Sequence, residues 1–296
     1  MLRDLKSSSK VLVIGATGLL GSVVVPYLQS LNYEVVTVGN KNLNCDEHCD
    51  LLRVEKVRQL LVKTSPVVVL NFAALTNVDM CEQSPHDAYL LNVRAVQNLA
   101  AGMQCLQKPY LIQISTDQVY DSIGSSHEDD VRITNVYALT KYAGEMAAMT
   151  VPCTVLRTNF FGNSIRSDRK SFSDWVVERL QLDIPTTVFD DVIVNPLNMI
   201  TVAEMINRVM ISRAMSCARG IFNMGARDAM SKADLAFEVA SVLKLSPKSL
   251  IRGRISDAKL VAYRPKNMWT NCTRFEDTFG VTLPTLRDEV DKLVRA

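Results

Sequence analysis

A tyrosine and a lysine four positions apart are the residues of this chain best suited to proton transfer. Tyr137 and Lys141 enclose the segment Tyr-Ala-Leu-Thr-Lys, and side chains at positions i and i+4 of a helix share one face. An ammonium there favours the phenolate, so we expect Lys141 to lower the pKa of Tyr137 from its ordinary value of about 10. The pair predicts a phenolic proton donor beside a cation.

A glycine-rich turn supplies the place for a dinucleotide. Its glycines follow an apolar run and precede a helical pattern, which is the context that such a turn requires. The first glycine permits the turn, the second lets the backbone approach a pyrophosphate, and the third lets helix pack on strand. A packing turn without a ligand is the alternative. The residues predicted to bind the cofactor here are Gly15, Thr17, Gly18, Leu19, Leu20 and Gly21.

The residues after the second apolar run favour a phosphorylated cofactor. An NAD site usually places a carboxylate about 20 residues beyond the glycines, where it binds the ribose 2′-hydroxyl. Here Gly39, Asn40 and Lys41 occupy that place. Because a lysine attracts a 2′-phosphate that a carboxylate would repel, we predict NADP(H). NAD(H) stays open, and an ordinary solvated loop lysine is the alternative for Lys41.

Two short segments are candidates for the rest of the cofactor site. Asp50 and Leu51 precede a helical pattern, where they would lie against the adenine, or Asp50 would instead cap the helix. Ala73 and Ala74 follow the third apolar run, and their small side chains would let a nicotinamide ribose approach the backbone.

Polar residues at the end of the fourth apolar run are candidates for the substrate-binding part of the site. Ligands bind open α/β sheets at the carboxyl ends of the strands, and the run ends in Ser-Thr-Asp-Gln at 115–118. The Thr116 hydroxyl could bind a substrate carbonyl and the Tyr137 phenol together. Asn92 is a poor helix former inside a helical pattern, which either a role in the site or solvent exposure would explain.

Composition excludes several classes of protein. The 296 residues are 48% hydrophobic, which excludes disorder, and a net charge of +2 argues against nucleic acid or a membrane surface as partner. The seven cysteines are odd in number and scattered, which suits unpaired thiols in the cytoplasm. Cys45, His48 and Cys49 resemble half a metal site, but no second cluster lies nearby in sequence, so we predict no metal.

No segment predicts a secretory signal or a membrane span. Val11–Val25 follows Lys6 and Lys10 as a signal's apolar region would, but glycines at dinucleotide spacing interrupt it, and no cleavage pattern precedes Pro26. No apolar run approaches the roughly 20 residues that cross a bilayer.

The apolar runs alternate with helical patterns and predict a doubly wound parallel (Rossmann) α/β sheet with a smaller C-terminal lobe. Strands are predicted at Val11–Ile14, Glu34–Val38, Val67–Asn71, Tyr110–Ser115, Thr154–Arg157 and Thr187–Val194. Helices are predicted at Leu19–Leu31, Val54–Leu61, Pro85–Met103, Tyr137–Met149, Phe172–Leu182, Val202–Ala214, Lys232–Leu243 and Leu286–Val294. We assign residues 1–158, joined by 187–215, to an NADP-binding domain, and residues 159–186 and 216–296 to a substrate-binding lobe.

These motifs together resemble the extended short-chain dehydrogenase/reductase superfamily and, within it, the dTDP-4-dehydrorhamnose reductase family of sugar-nucleotide reductases. The resemblance covers nearly the whole chain. The matching segments are 15–21, 71–79 with Glu82 and Pro85, Asn92, 114–117, 136–145, 156–158, Arg264-Pro265-x-Asn267 and 275–280.

The resemblance implies a role for each matched residue. Tyr137 would protonate the reduced sugar oxygen, Lys141 would lower its pKa and hold the nicotinamide ribose, and Asn92 would order the proton relay. Thr116 would bind the C4 carbonyl, and Arg264 would bind the diphosphate. The implied substrate contacts are Thr116, Asp117, Gln118, Asn159, Asn195 and Arg264.

The chain departs from the family at two places. Gln118 stands where the family usually has an aromatic residue and where the related 4,6-dehydratases have a glutamate base. An amide cannot remove a proton at neutral pH, so Gln118 argues against a dehydratase. The segment at 160–162 is Phe160, Phe161 and Gly162, where a tryptophan is common in the family. This changes the side chains expected to line the sugar-binding part of the site.

The resemblance implies NADPH-dependent reduction of the 4-keto group of a nucleotide-linked 6-deoxyhexose. A nucleotide-sugar epimerase is a rival, which Asp117 and Arg264 disfavour. A non-catalytic regulatory subunit of the methionine adenosyltransferase type is the other, since cofactor binding alone needs most of the same residues. A homodimer is left open.

Overall fold

The computed structural model describes residues 9–40, 44–104, 109–165 and 169–294. Strands and helices alternate in its first half, where a π-helical turn at Leu90–Arg94 joins the fourth helix to the fifth. The elements are β1 (Lys10–Ile14), α1 (Gly21–Ser30), β2 (Glu34–Gly39), β3 (Glu47–His48), α2 (Val54–Thr64), β4 (Val68–Asn71), α3 (Val78–Gln83), α4 (Pro85–Tyr89), α5 (Ala95–Met103), β5 (Tyr110–Thr116), α6 (Val136–Ala148) and β6 (Cys153–Thr158).

The second half has shorter strands between its helices. Its elements are β7 (Phe160–Phe161), α7 (Phe172–Gln181), β8 (Thr186–Phe189), β9 (Ile193–Val194), β10 (Leu197–Asn198), α8 (Met199–Ser212), β11 (Gly220–Met224), β12 (Met230–Ser231), α9 (Lys232–Val242), β13 (Leu250–Gly253), α10 (Thr273–Phe279) and α11 (Leu286–Asp291). None of the helices in the described part of the chain is long and apolar enough to cross a membrane.

Seven parallel strands form the central sheet in the order β11-β6-β5-β4-β1-β2-β3. The predicted doubly wound α/β fold is confirmed. The chain adds β2 and β3 on one side of β1 and then β4, β5 and β6 on the other side, so the strand order reverses between β1 and β4. Open sheets of this kind bind ligands in the crevice at that point. The ends of β1, β4 and β5 therefore define where a site is expected.

The apolar runs of the sequence form strands because helices cover both faces of the sheet. Val11 and Val13 of β1 lie in the core that α1 and α8 complete, whereas Leu12 and Ile14 lie in the core that α2 and α5 complete. A strand buried on both faces reads as a continuous apolar run rather than an alternating one. Each such side chain stabilises the fold by about 1.5–3 kcal/mol on burial.

A third apolar cluster holds the C-terminal lobe together. Val176 of α7, Val188 of β8 and Val239 of α9 are buried in it. Three two-stranded sheets frame the cluster, namely β8 with β13, β9 with β12, and β7 with β10. The lobe is thus built from short pairings rather than from one sheet.

The strand pairings do not follow the division of the chain expected from sequence. The predicted strand at 187–194 is two strands, because Asp190 and Asp191 interrupt its apolar pattern, and β8 pairs with β13 outside the central sheet. Conversely, β11 joins the central sheet beside β6, although the sequence placed it in the lobe. Its Phe222 is covered by Phe275 and Phe279 of α10, which lie far along the chain.

Candidate active site

The glycine turn after β1 is packed too closely for side chains. Gly15 has a φ of +78°, and a Cβ there would lie 2.8 Å from the backbone nitrogen of Ala73. A Cβ on Gly21 would lie 2.5 Å from the carbonyl oxygen of Gly15. The helix α1 then begins without a side-chain cap at Leu20, which suits its N-terminus to an anionic group. The turn therefore fits a dinucleotide pyrophosphate.

A cavity of about 290 Å³ lies at the crevice where the sheet order reverses. It joins the glycine turn to the ends of β5 and β6. The predicted site residues that line it are Gly18, Leu19, Leu20, Gly21, Ala74, Thr116, Asp117, Gln118, Tyr137, Lys141 and Asn159. Phe160, which stands where the family commonly has a tryptophan, also lines it. The lining residues with no predicted site role are Phe72, Thr76, Ile114, Ser115 and Thr158.

The helix α6 carries Tyr137 and Lys141 to this cavity, where both are buried. Its N-cap is Asn135, whose side-chain oxygen accepts a hydrogen bond from the Ala138 N–H at 2.8 Å. The Lys141 ammonium donates to the carbonyl oxygen of Ile114 in β5 at 2.7 Å. The predicted tyrosine–lysine face is therefore fixed against the carboxyl end of β5.

Burial dominates the ionisation of these two side chains. It raises the pKa of Tyr137 far above its ordinary value, opposed by a hydrogen bond with Thr116 and assisted by the charge of Asp117. It lowers the pKa of Lys141 to about 8, while the charge of Glu145 acts in the opposite direction. The expectation that Lys141 lowers the pKa of Tyr137 is thus not met. The physical reason is that burial disfavours both charged forms, so Tyr137 remains a protonated donor.

Thr116 and Asp117 lie at the tip of β5. The Asp117 carboxylate accepts a hydrogen bond from the Asn159 amide at 2.9 Å and a longer one of 3.3 Å from the Thr116 hydroxyl. Burial raises the pKa of Asp117 to about 6, against the Asn159 hydrogen bond and the nearby charge of Lys232. The carboxylate is ionised at neutral pH and available as an acceptor.

Asn92 lies in the π-helical turn between α4 and α5 and is buried. Its side chain accepts from the Leu75 N–H at 2.8 Å and donates to the Leu75 carbonyl and the Thr140 hydroxyl, each at 3.1 Å. A Cβ on Gly144 would lie only 2.2 Å from the Asn92 carbonyl oxygen. Asn92 thus ties the loop after β4 to α6, and solvent exposure does not explain it. Its direct partner on α6 is Thr140, not Tyr137.

A buried ion pair behind Lys141 was not assigned a role from sequence. Arg157 of β6 donates to the Glu145 carboxylate at 2.6 Å, and both side chains are almost completely buried. Arg157 also donates to the Tyr120 hydroxyl at 2.7 Å. An arginine inside an apolar strand is the signal that could have revealed it, because buried charges are normally paired.

Two predicted substrate residues lie outside the cavity and make contacts within the protein. The Asn195 amide donates to the carbonyls of Ala226 and Thr270, and its oxygen accepts from the Thr270 N–H at 3.0 Å. Arg264 forms an ion pair with Asp79 of α3 at 2.8 Å. The structure therefore uses Asn195 to hold lobe segments together and Arg264 to hold the C-terminal loop against α3.

The adenosine end of the site differs in detail from expectation. Lys41 lies outside the described residues, and Asn40 is exposed at the end of β2. A Cβ on Gly39 would lie 2.9 Å from the Cys45 sulfur, so packing also explains this glycine. Asp50 accepts from the Leu52 N–H at 3.0 Å and does not cap α2, because Arg53 is its N-cap. Leu51 packs against the core of the α2 face.

Ala73 and Thr17 also stand apart from the cavity. Ala73 lies directly behind Gly15 and donates its N–H to the Asn71 side chain at 3.2 Å. Thr17 lies in the turn before α1.

Known proteins resemble the chain along nearly its full length. The family described as the RmlD substrate binding domain matches residues 9–296. The dTDP-4-dehydrorhamnose reductase of Sinorhizobium fredii is 30% identical over 282 residues, which are 89% of each chain. The β subunit of methionine adenosyltransferase 2 of Rattus norvegicus is 29% identical over 281 residues, 93% of this chain and 83% of that protein.

A solved structure supports the fold. The dTDP-4-dehydrorhamnose reductase of Bacillus anthracis, determined in complex with NADP, superposes with a TM-score of 0.87 at 21% identity, over 97% of this chain and 99% of the other. Together with the family match, it confirms the resemblance that the sequence motifs indicated. The chain belongs to the RmlD substrate binding domain family.

Proposed function

We propose that the protein is an NADPH-dependent oxidoreductase that reduces the 4-keto group of a nucleotide-linked 6-deoxyhexose, as dTDP-4-dehydrorhamnose reductases do. One observation carries the proposal. Thr116, Tyr137 and Lys141 line the same cavity as the glycine turn, so a carbonyl binder, a proton donor and a dinucleotide cradle share one site. The sequence comparison adds to this, because the dTDP-4-dehydrorhamnose reductase of Sinorhizobium fredii is 30% identical to the chain.

The residues divide the reaction between them. A reduced nicotinamide supplies, when bound, the hydride for a carbonyl carbon. The Thr116 hydroxyl binds the carbonyl oxygen, and the Tyr137 phenol gives its proton to that oxygen as the alkoxide forms. The raised pKa of Tyr137 keeps the proton on the phenol until the alkoxide takes it. Lys141 binds the ribose beside it through its ammonium.

Cofactor choice follows from the end of β2. Gly39, Asn40 and Lys41 offer no carboxylate to bind a ribose 2′-hydroxyl, and Lys41 offers a cation to a 2′-phosphate. The related Bacillus anthracis structure holds NADP. NADPH is therefore the proposed cofactor, with NADH as a weaker alternative.

A non-catalytic regulatory subunit is the second candidate. The observation that favours it is the match to the β subunit of methionine adenosyltransferase 2, at an identity almost equal to that of the reductase. The reductase is preferred because Tyr137 and Thr116 are both present at the cavity.

The test is a set of 4-keto-6-deoxy nucleotide sugars carrying dTDP, UDP or GDP, assayed by loss of NADPH absorbance, with NADH in parallel. We expect turnover with at least one sugar nucleotide and a higher kcat/KM with NADPH. The protein could instead bind NADPH tightly, turn over none of these sugars and bind a methionine adenosyltransferase catalytic subunit. That result would contradict the reductase and support the regulatory subunit.

A further inference from the structure

Glu145 is a buried carboxylate on the helix that carries Tyr137 and Lys141, and the proposed mechanism leaves it without a role. It follows Lys141 by four positions in α6, so the two side chains lie one turn apart on the same buried face. The Lys141 ammonium donates to the Ile114 carbonyl of β5 at 2.7 Å. The Glu145 carboxylate accepts a hydrogen bond of 2.5 Å from the hydroxyl of Ser115, the next residue of that strand. The two charged groups therefore contact adjacent residues of β5.

Arg157 of β6 holds the Glu145 carboxylate in this place. It is the register partner of Ser115 on the neighbouring strand. Its Nε and Nη2 atoms donate to the two carboxylate oxygens of Glu145 at 2.9 and 2.6 Å. Its Nη1 atom donates to the Tyr120 hydroxyl at 2.7 Å and to the Glu128 carbonyl at 2.6 Å. Because the guanidinium is bonded on both sides, Arg157 cannot leave Glu145 without breaking buried contacts.

A structural role alone does not account for a charged pair at this place. The side chains of Glu145 and Arg157 are 0% and 1% exposed, and the cost of desolvating two charges commonly offsets their attraction. What the pair adds is a carboxylate one helical turn from a buried ammonium. In the described part of the chain, the hydrogen-bond acceptor of Lys141 is the Ile114 carbonyl, and a desolvated ammonium tends to lose its proton. A nearby negative charge opposes that loss.

Among the described residues, Glu145 supplies the negative charge that acts on Lys141. Cys81 of α3 also acts on it, but burial raises the pKa of this thiol to about 11, so it is neutral at physiological pH. Tyr137 of α6 lines the same cavity and stays protonated, because burial raises its pKa. Asp117 at the end of β5 also lines the cavity, and its charge acts on Tyr137.

We propose that Glu145 is a positioning residue that keeps the Lys141 ammonium charged and fixed against β5. The contacts with Ser115 and Arg157 hold its carboxylate for this purpose. An ammonium has three N–H donors, so with one of them bonded to Ile114 the others are left for the ribose hydroxyls of the cofactor. Glu145 is completely buried and does not line the cavity, so it acts through Lys141. The inference rests on the part of the proposed function that gives Lys141 the cofactor ribose.

The test is the pH dependence of NADPH affinity, measured by calorimetry without a sugar nucleotide. In the wild type the affinity should fall as Lys141 loses its proton, with a midpoint near its pKa of about 8. Lys141→Met should bind NADPH more weakly and show no such fall, which assigns the transition to this residue. Glu145→Gln keeps the shape of the side chain but removes its charge. Its midpoint should move down by about one pH unit or more, since an attractive charge is lost.

A double variant and a matched control separate charge from stability. Glu145→Gln alone leaves the buried Arg157 cation unpaired, so it is also combined with Arg157→Gln, which removes both charges. The double variant should shift the midpoint in the same downward direction. Glu289→Gln is the matched control, because Glu289 is also completely buried and accepts from the Thr201 hydroxyl at 2.7 Å. It should lower stability to urea but keep the midpoint of the wild type.

A midpoint equal to that of the wild type in both Glu145 variants would overturn the inference and leave the ion pair with a structural role. A wild-type affinity that is constant across neutral and alkaline pH would also overturn it, because the charge of Lys141 would then contribute nothing to cofactor binding. Absence of turnover with every 4-keto nucleotide sugar would overturn the proposed reductase but not this inference, since the measurement uses only the cofactor.

Discussion

The two walls of the candidate site are built in different ways. The sheet wall presents Thr116, Tyr137 and Lys141 from the end of a seven-residue strand and from a thirteen-residue helix. The lobe side is built from short strands and loops, and Asn195 and Arg264, which lie outside the cavity, make their polar contacts there within the protein. The sheet wall therefore presents polar side chains to a ligand, whereas many polar side chains of the lobe form hydrogen bonds within the lobe.

This difference explains which site residues can be recognised by type. The backbone groups of a long helix are paired within the helix, and those of a central strand are paired with its neighbours, so the polar side chains at the ends of such elements are left for a ligand. Short strands leave backbone N–H and C=O groups that must find partners, and side chains such as Asn195 supply them. A polar side chain in the lobe is therefore expected to bond to the protein backbone more often than to a ligand.

The largest effect is expected on the sheet wall, from Tyr137→Phe. Phenylalanine keeps the ring and its packing but removes the proton that the alkoxide must receive. Turnover should fall by roughly 10²–10⁴-fold, the usual contribution of a positioned acid. NADPH oxidation with the best 4-keto nucleotide sugar measures it, and unchanged NADPH affinity shows that the fold is intact. Equal turnover in both proteins would remove Tyr137 as the acid.

On the lobe wall, Asn195→Ala should affect stability rather than catalysis. It leaves the Ala226 and Thr270 backbone groups without their buried partner. The free energy of unfolding should fall by about 2–4 kcal/mol, measured by urea denaturation. Asn207→Ala, which removes the side chain bonded to the partly buried hydroxyls of Tyr33 and Tyr27, is the control and should cost less. A large rise in KM at unchanged stability would instead return Asn195 to the substrate site.

The sheet wall was predictable from sequence because each of its signals is local. The glycine turn, the polar end of β5 and the tyrosine–lysine spacing each lie within one strand, turn or helix. The low helix propensity of Asn92 is also a local signal, and the structure explains it by a π-helical turn in which the side chain bonds to Leu75 and Thr140. The ionisation of Tyr137 was not predictable, because the spacing to Lys141 gives proximity but not burial.

The lobe resisted prediction because its contacts join distant segments. Arg264 meets Asp79 across most of the chain, and β11 is covered by a helix that begins about fifty residues later. At the adenosine end of the site, the role of Lys41 stays a prediction.

A pair of variants sharpens the interpretation of Arg264. If Arg264 acts by holding the C-terminal loop against α3, then Arg264→Ala and Asp79→Asn remove the same ion pair. Both should raise KM for the sugar nucleotide by a similar factor, about two- to tenfold for a partly exposed pair, without changing NADPH affinity. A large effect of Arg264→Ala alone would show that its guanidinium binds the diphosphate directly.

The smallest effect is expected from pH. Burial raises the pKa of Asp117 to about 6 and lowers that of Lys141 to about 8. Below the first value Asp117 gains a proton and loses its role as acceptor, and above the second Lys141 loses its charge. The kcat/KM for the sugar nucleotide should therefore be highest between these values and be halved near each of them.

The two limbs of this pH profile can be tested separately. Asp117→Asn should abolish the acidic limb, and Lys141→Arg should move the alkaline limb upward, since arginine stays charged. Tyr137 adds no limb near neutrality, because its pKa is raised far above its ordinary value. An alkaline limb that Lys141→Arg leaves in place would belong to another group, and Lys141 would then not set the upper pH limit of the reaction.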